Sequence, residues 1–109
     1  MNGDRTQPSL VVVIVSTGES CTAVPEDLLA SIGDSITFKN LTGSPIILFF
    51  PNLNLLGQQV LELGPNQEAA LEVGNVELGA YLYTVFCKGK QEFADKAARP
   101  RIIVYRTPG

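Results

Sequence analysis

Histidine is absent from all 109 residues, methionine occurs once, at the first position, and cysteine occurs twice. Without an imidazole the commonest general base is missing, and neither a Ser-His nor a Cys-His nucleophile pair can be built. Zinc sites that use histidine are excluded for the same reason, and two cysteines do not complete a four-ligand site. Charge is sparse as well: 17% of residues are charged and the formal net charge is -3. That balance excludes neither folding nor protein binding, but it is too weak for a nucleic-acid binder or a binder of acidic membranes. Long hydrophobic runs are missing. The longest near the start covers 10–15, far short of the about 20 residues a spanning helix needs. It is also too short for a secretory leader, and no positive segment precedes it. No glycine-rich phosphate loop of the GxxxxGK[ST] or GxGxxG kind occurs. The adjacent acids Glu26 and Asp27 would point in opposite directions on a strand, and they read as a solvated turn rather than a catalytic dyad. No acid, base and nucleophile come together, so the expectation is a non-enzyme.

What is present is material for one core. Hydrophobic residues make up 45% of a chain of single-domain length, with a loosely held segment at 1–8, a domain at 9–106 and a tail at 107–109. Runs rich in Val, Ile, Phe and Tyr fall at 9–15, 28–32, 35–39, 46–50, 59–63, 69–73, 80–87 and 101–105. Gly, Pro and Asn punctuate them, as at Gly33-Asp34, Gly43-Ser44-Pro45, Gly64-Pro65-Asn66 and Gly74-Asn75. Short strands at this spacing predict an all-β Greek-key sandwich or barrel of seven to eight strands. Ile36 and Phe38 alternate with Ser35, Thr37 and Lys39, which buries one face of that strand. Tyr81, Tyr83, Val85 and Cys87 likewise share a face. The continuous runs at 10–15 and 46–50 suit strands covered on both faces or lying at an interface. Helix is conceivable only at 25–32, which reads as extended, and at 91–98, which reads as a loop with at most one helical turn.

Residues 25–40, PEDLLASIGDSITFKN, followed by LTGSPIILFF, resemble the cupredoxin family of plastocyanin-like blue-copper proteins. Gly33, Asp34, Ile36, Phe38, Asn40 and Pro45 match the family's run of Gly-Asp, alternating strand, Asn and turn ending in Pro. Gly79, Tyr81, Tyr83 and Cys87 match its approach to the ligand cysteine. The resemblance spans 9–106 and implies a cupredoxin-like fold. It does not extend to the metal site. A blue-copper centre needs two histidines, a cysteine and a weak axial ligand. Ile46 stands where the first histidine belongs, and no histidine follows Cys87. Gln91 could imitate an axial glutamine, but such a ligand cannot hold copper without the imidazoles. Cys87 is the one ligand type retained. The expectation is therefore no metal and no cofactor, with Ile46 as an apolar plug.

The resemblance also places the stretch before Pro25 at the end of the barrel where Cys87 lies, so Cys21 and Cys87 could form a disulfide. Two readings stand: a staple over the former metal region, or two buried thiols acting as small hydrophobes. The function expected is a metal-free binding or interaction module, with thiol/disulfide redox chemistry at Cys21 and Cys87, or a structural homo-oligomer subunit, as alternatives. Its partner would be an unidentified protein or a second copy, with no nucleic acid and no membrane span. The partner surface expected is Phe50, Leu53, Leu55 and Leu56 together with Lys88, Lys90, Lys96 and Arg99. Residues 1–87 carry a formal charge of -7 and residues 88–109 one of +4, so the basic loop favours an acidic partner, unless it is only a solvated face. The family resemblance favours a periplasmic or secreted protein whose leader has been removed. A cytosolic protein is the alternative.

Overall fold

A computed structural model describes residues 10–17, 20–87, 92–93 and 100–106. Eleven strands and one helical turn occur among them. They are β1 Leu10–Thr17, β2 Ser20–Val24, β3 Asp27–Ala30, β4 Ser35–Asn40, β5 Ile46–Phe49, α1 Leu53–Leu56, β6 Val60–Leu63, β7 Glu68–Glu72, β8 Gly79–Leu82, β9 Thr84–Cys87, β10 Glu92–Phe93 and β11 Arg101–Val104. The strands form three sheets, ordered β2-β1-β4-β7, β10-β9-β5-β6 and β3-β11-β8. Parallel pairs join β1 to β4 and β3 to β11, and the remaining pairs are antiparallel.

The expected all-β sandwich forms, with more strands than the seven or eight counted from sequence. Part of the excess comes from the run at 80–87, which divides at Tyr83. Up to Leu82 the chain pairs with β11, and from Thr84 it pairs with β5. At the break the Tyr83 amide donates to the Pro100 carbonyl instead. The alternation survives: Tyr83, Val85 and Cys87 are buried, and Tyr81 is half-buried. The region 91–98, expected as a loop, contains β10 at Glu92–Phe93, paired with β9. Its other residues, Gln91 included, lie outside the described residues. Extension at 25–32 is observed as β3. The turn α1 was not anticipated. Its cause is local: the Asn52 side chain accepts from the Asn54 amide, and Gly57 closes the turn in the left-handed conformation.

The continuous apolar runs are fully buried on one face and half-buried or exposed on the other, so of the two expectations, full cover on both faces does not hold. In β1, Val12 and Ile14 are buried while Val11, Val13 and Val15 are half-buried. In β5, Ile46 and Leu48 are buried, Ile47 is half-buried and Phe49 is exposed. The buried set from all three sheets meets in one core, from Val12, Ile36 and Phe38 on one side to Leu48, Val85, Ile102 and Val104 on the other. At its centre three rings stack at an angle: Phe38, Phe50 and Tyr83, with centroids 5.4–6.0 Å apart.

The Tyr83 hydroxyl is buried there without a hydrogen-bond partner, and burial pushes its pKa far above the ordinary tyrosine value. A buried unpaired hydroxyl is a net cost. Tyr83→Phe therefore leaves stability unchanged or raises it by up to about 1 kcal/mol. A denaturant midpoint that falls by the same amount would show instead that the hydroxyl is bonded.

Two glycines hold the end of the sandwich where β4 begins. Gly33 has φ +93°, and its amide donates to the Val73 carbonyl. Gly74 is required for space: its amide donates to Leu55, and a Cβ there would run into the backbone carbonyl of Asn54. Because the obstructing atom is backbone, relief needs a shift of α1. Gly74→Ala is expected to cost about 2–3 kcal/mol, the scale of overpacking in a close-packed core, measured as a shift in urea midpoint.

Candidate functional site at the disulfide end

Strand directions define two ends of the sandwich. β1, β4 and β9 run toward one end, where the turn after Asn40, the start of β5 and Cys87 lie together. Across the β5–β9 pair, Ile46 stands opposite Cys87, and Ile46 also stands opposite Leu63 of β6. Ile46 is buried.

Cys87 is joined to Cys21 of β2, with their Cα atoms 6.6 Å apart. The bond ties the first sheet to the second at this end, which is the staple that the resemblance implied. Cys21 and Cys87 are 1% and 2% exposed. The thiol/disulfide alternative needs sulfurs that a partner thiolate can reach in line. Burial this deep counts against it and suits a structural bond.

The same end is organised by a buried asparagine whose role the sequence did not reveal. Asn40 donates through Nδ2 to the carbonyls of Ser44 (2.7 Å), Gly64 (3.0 Å) and Leu63 (3.1 Å). Its Oδ1 accepts from the amide and hydroxyl of Thr42 at 2.9 and 2.8 Å. Its backbone amide donates to Gln67, and its carbonyl accepts from Asn66. One side chain thus clips the turn 41–45 to the turn 64–67. Leu41, beside this turn, is exposed.

Several expected surface residues are elsewhere. Phe50 is 0% exposed, packed between Phe38 and Tyr83, and Leu55 and Leu56 are buried as well. These three are core residues. Phe49 and Phe50 do point to opposite faces, as adjacent strand-end residues must, but Phe49 is the exposed one at 43%. The Pro51–Gly57 stretch turns back as α1 and covers its own leucines, leaving only Leu53 outside. All four belong to the end opposite the disulfide, so they do not form one surface with Cys87. Lys88, Lys90, Lys96 and Arg99 lie outside the described residues. Among the described residues, no group of three metal-ligating side chains comes together and no helix is long and apolar enough to cross a membrane.

A second feature was not foreseen. At the end away from the disulfide, β3 and β11 finish and β8 begins, and a cleft of about 430 Å³ lies at their feet. Ser31, Ile32, Val76, Glu77, Leu78, Tyr105 and Arg106 line it. These residues come from three separate chain segments just beyond strand ends, where no period links them. The only sequence signal was a large apolar residue at each place.

The fold so described is that of the cupredoxins. No family model matches the sequence, and no curated protein matches it. Solved structures do. A copper(I) methionine-to-alanine variant of amicyanin shares 22% identity, with a TM-score of 0.60, over 94% of this chain and 87% of that one. An oxidised methionine-to-lysine variant of amicyanin gives 21% identity and a TM-score of 0.61 over the same shares. A reduced tryptophan-to-tyrosine variant gives 21% and 0.60. At this identity the likeness is one of fold.

Copper does not fit the residues present. The position opposite Cys87 holds a buried aliphatic side chain, the Cys87 sulfur is committed to a covalent bond, and the whole chain supplies no imidazole. The soft thiolate and the nitrogen donors of a blue-copper centre are both missing.

Proposed function

We propose that the chain is a metal-free binding module, a cupredoxin-fold domain in which a disulfide holds the end of the sandwich where the family resemblance would put a copper site. The observation that carries this reading is the Cys21–Cys87 bond beside the buried Ile46. A rigid end of this kind suits recognition, because the turn 41–45 is fixed by Asn40 and needs no ordering on contact. The partner proposed is an acidic protein. Support comes from the charge pattern: Lys88, Lys90, Lys96 and Arg99 follow Cys87 within twelve residues, in a chain otherwise acidic. Like charge on the body and opposite charge on the loop would orient such a partner toward the disulfide end.

The test is native mass spectrometry of the non-reduced protein after exposure to copper(II) and to zinc. The expected mass is two hydrogens below that of the reduced chain, with no metal retained. One equivalent of either metal held by the oxidised protein would refute the reading. The charge component is read separately, by the salt dependence of binding to a polyglutamate probe. Binding that weakens steeply with salt and is lost in Lys88→Glu/Lys90→Glu supports an acidic partner, and no binding at low salt removes it.

A further inference from the structure

Three basic residues are described, and two of them are paired. Lys39 faces Glu68 at 3.8 Å. Arg101 meets Asp27 in a two-pronged pair, its Nε and one terminal nitrogen 2.9 and 2.7 Å from the two carboxylate oxygens. Arg106 alone of the three forms no ion pair among the described residues, and it lines the cleft beyond the ends of β3, β11 and β8. Glu77 lines the same cleft, and its carboxylate is unpaired as well. Two opposite charges thus border one space without meeting each other.

Apart from these charges and Ser31, the lining is apolar: Ile32, Val76, Leu78 and Tyr105. The outer face of β3-β11-β8 exposes Leu29 and Leu82. Beyond the strand ends Ile32, Leu78 and Tyr105 are each left 44–47% exposed at the cleft. Hydrogen bonds fix the walls in place. The Tyr105 amide donates to the Ala30 carbonyl, tying the end of β11 to the end of β3. The Ser31 amide donates to the Asp34 carboxylate at 2.8 Å. The Tyr81 hydroxyl donates to the Glu77 carbonyl, which holds the approach to β8. A site whose walls are set beforehand loses little to ordering on binding. Its volume of about 430 Å³ stands toward the lower end of the about 300–1,000 Å³ range of ligand sites, so it suits a small molecule.

We propose that this cleft binds a small apolar zwitterion, an aliphatic or aromatic amino acid or a dipeptide of such residues. Its carboxylate sits on Arg106, its ammonium on Glu77, and its apolar body against Ile32, Leu78 and Tyr105. The charges of the lining select this class. A simple anion, phosphate included, would be attracted by Arg106 and repelled by Glu77, and a simple cation would meet the reverse. A ligand carrying both charges satisfies both side chains. A planar guanidinium takes a carboxylate in two-pronged fashion, as Arg101 does with Asp27 on the adjoining sheet. An ammonium is a compact point charge that a single carboxylate can accept. The apolar walls then discriminate against small polar amino acids, because those would leave Leu78 and Tyr105 in water. The proposal does not depend on the reading of the disulfide end.

Amide chemical shifts of the oxidised full chain, titrated with L-leucine and with leucyl-leucine, test it. Shifts that saturate and centre on Ile32, Val76, Leu78 and Tyr105 are expected, and the compound that binds more tightly tells a free amino acid from a dipeptide. Two truncated probes separate the charges: 4-methylpentanoate lacks the ammonium of leucine, and 3-methylbutylamine lacks its carboxylate. Each is expected to bind about tenfold more weakly or worse, the scale of one charge-assisted hydrogen bond. Arg106→Ala and Glu77→Ala, both at exposed positions, are expected to weaken binding by the same factor. Phe49→Ala, on the outer face of another sheet, is expected to bind as wild type does. No shift with either zwitterion through tens of millimolar overturns the proposal. So do shifts centred elsewhere, truncated probes that bind as well as leucine, or an affinity that ignores Arg106→Ala or Glu77→Ala.

Discussion

Removing both cysteines, as Cys21→Ala/Cys87→Ala, is expected to lower the unfolding free energy by about 4 kcal/mol. The bond closes a loop with a sequence separation of 66, and the chain-entropy estimate for a loop of that length is about 4 kcal/mol. Small cavities left by the two sulfurs add to the loss, since both side chains are buried. The effect is large against the 5–15 kcal/mol that typically separates a folded domain from its unfolded state. Urea unfolding with and without a reductant measures it, and reduction of the wild type should reproduce most of the difference. A change under about 1 kcal/mol would mean that the sheets meet as firmly without the bond. The bond would then be no staple, and the reading that it holds this end of the sandwich would fall.

Asn40→Ala is the second large effect, about 3 kcal/mol or more. The substitution leaves the carbonyls of Ser44, Leu63 and Gly64 and the Thr42 amide without their side-chain partner. Those near the Leu63 end are buried, and a buried polar group left unpaired costs about 1–3 kcal/mol. Asn40→Asp discriminates sharply. The carboxylate could still accept from Thr42 but cannot donate to three carbonyls, and it would be an unpaired buried charge. It should destabilise at least as much as alanine at neutral pH, and less once the pH is low enough to protonate the carboxyl. Hydrogen exchange would report the loss locally, at the amides of Thr42, Ser44 and Asn66. An Asn40→Ala protein with unchanged protection there would show that the two turns hold themselves.

The sandwich was legible in the sequence because its information is local and periodic. Ile36 and Phe38 alternate with polar neighbours, and the structure buries those two and leaves Ser35 exposed. The resemblance carried more than periodicity does. It brought Cys21 and Cys87 to one end of the sandwich across a long separation, which no local pattern can do, but left a disulfide and two buried thiols both open; the structure shows the bond. Three things escaped. The choice between Phe49 and Phe50 depends on which face β5 turns inward, and two adjacent phenylalanines give no hint of it. The burial of Leu55 and Leu56 depends on α1, a four-residue turn set by Asn52 and Gly57, shorter than any helical period can register. The apolar face of β3, β11 and β8 joins three segments far apart in the chain, each unremarkable alone. Leu28 is buried and Leu29 exposed, and in two adjacent leucines only register decides between them.

The disulfide also divides the chain into a covalent ring and two arms. The ring holds β3 through β8 and most of β2 and β9. The arms are β1 with the start of β2, and β10 with β11. A protease that cuts anywhere between Cys21 and Cys87 opens the backbone without releasing a fragment, and the nicked protein remains one molecule until it is reduced. Tension applied at the two ends lengthens only the arms. Such a chain can lose a peptide bond at an exposed turn, or be stretched, and still keep its central strands in register.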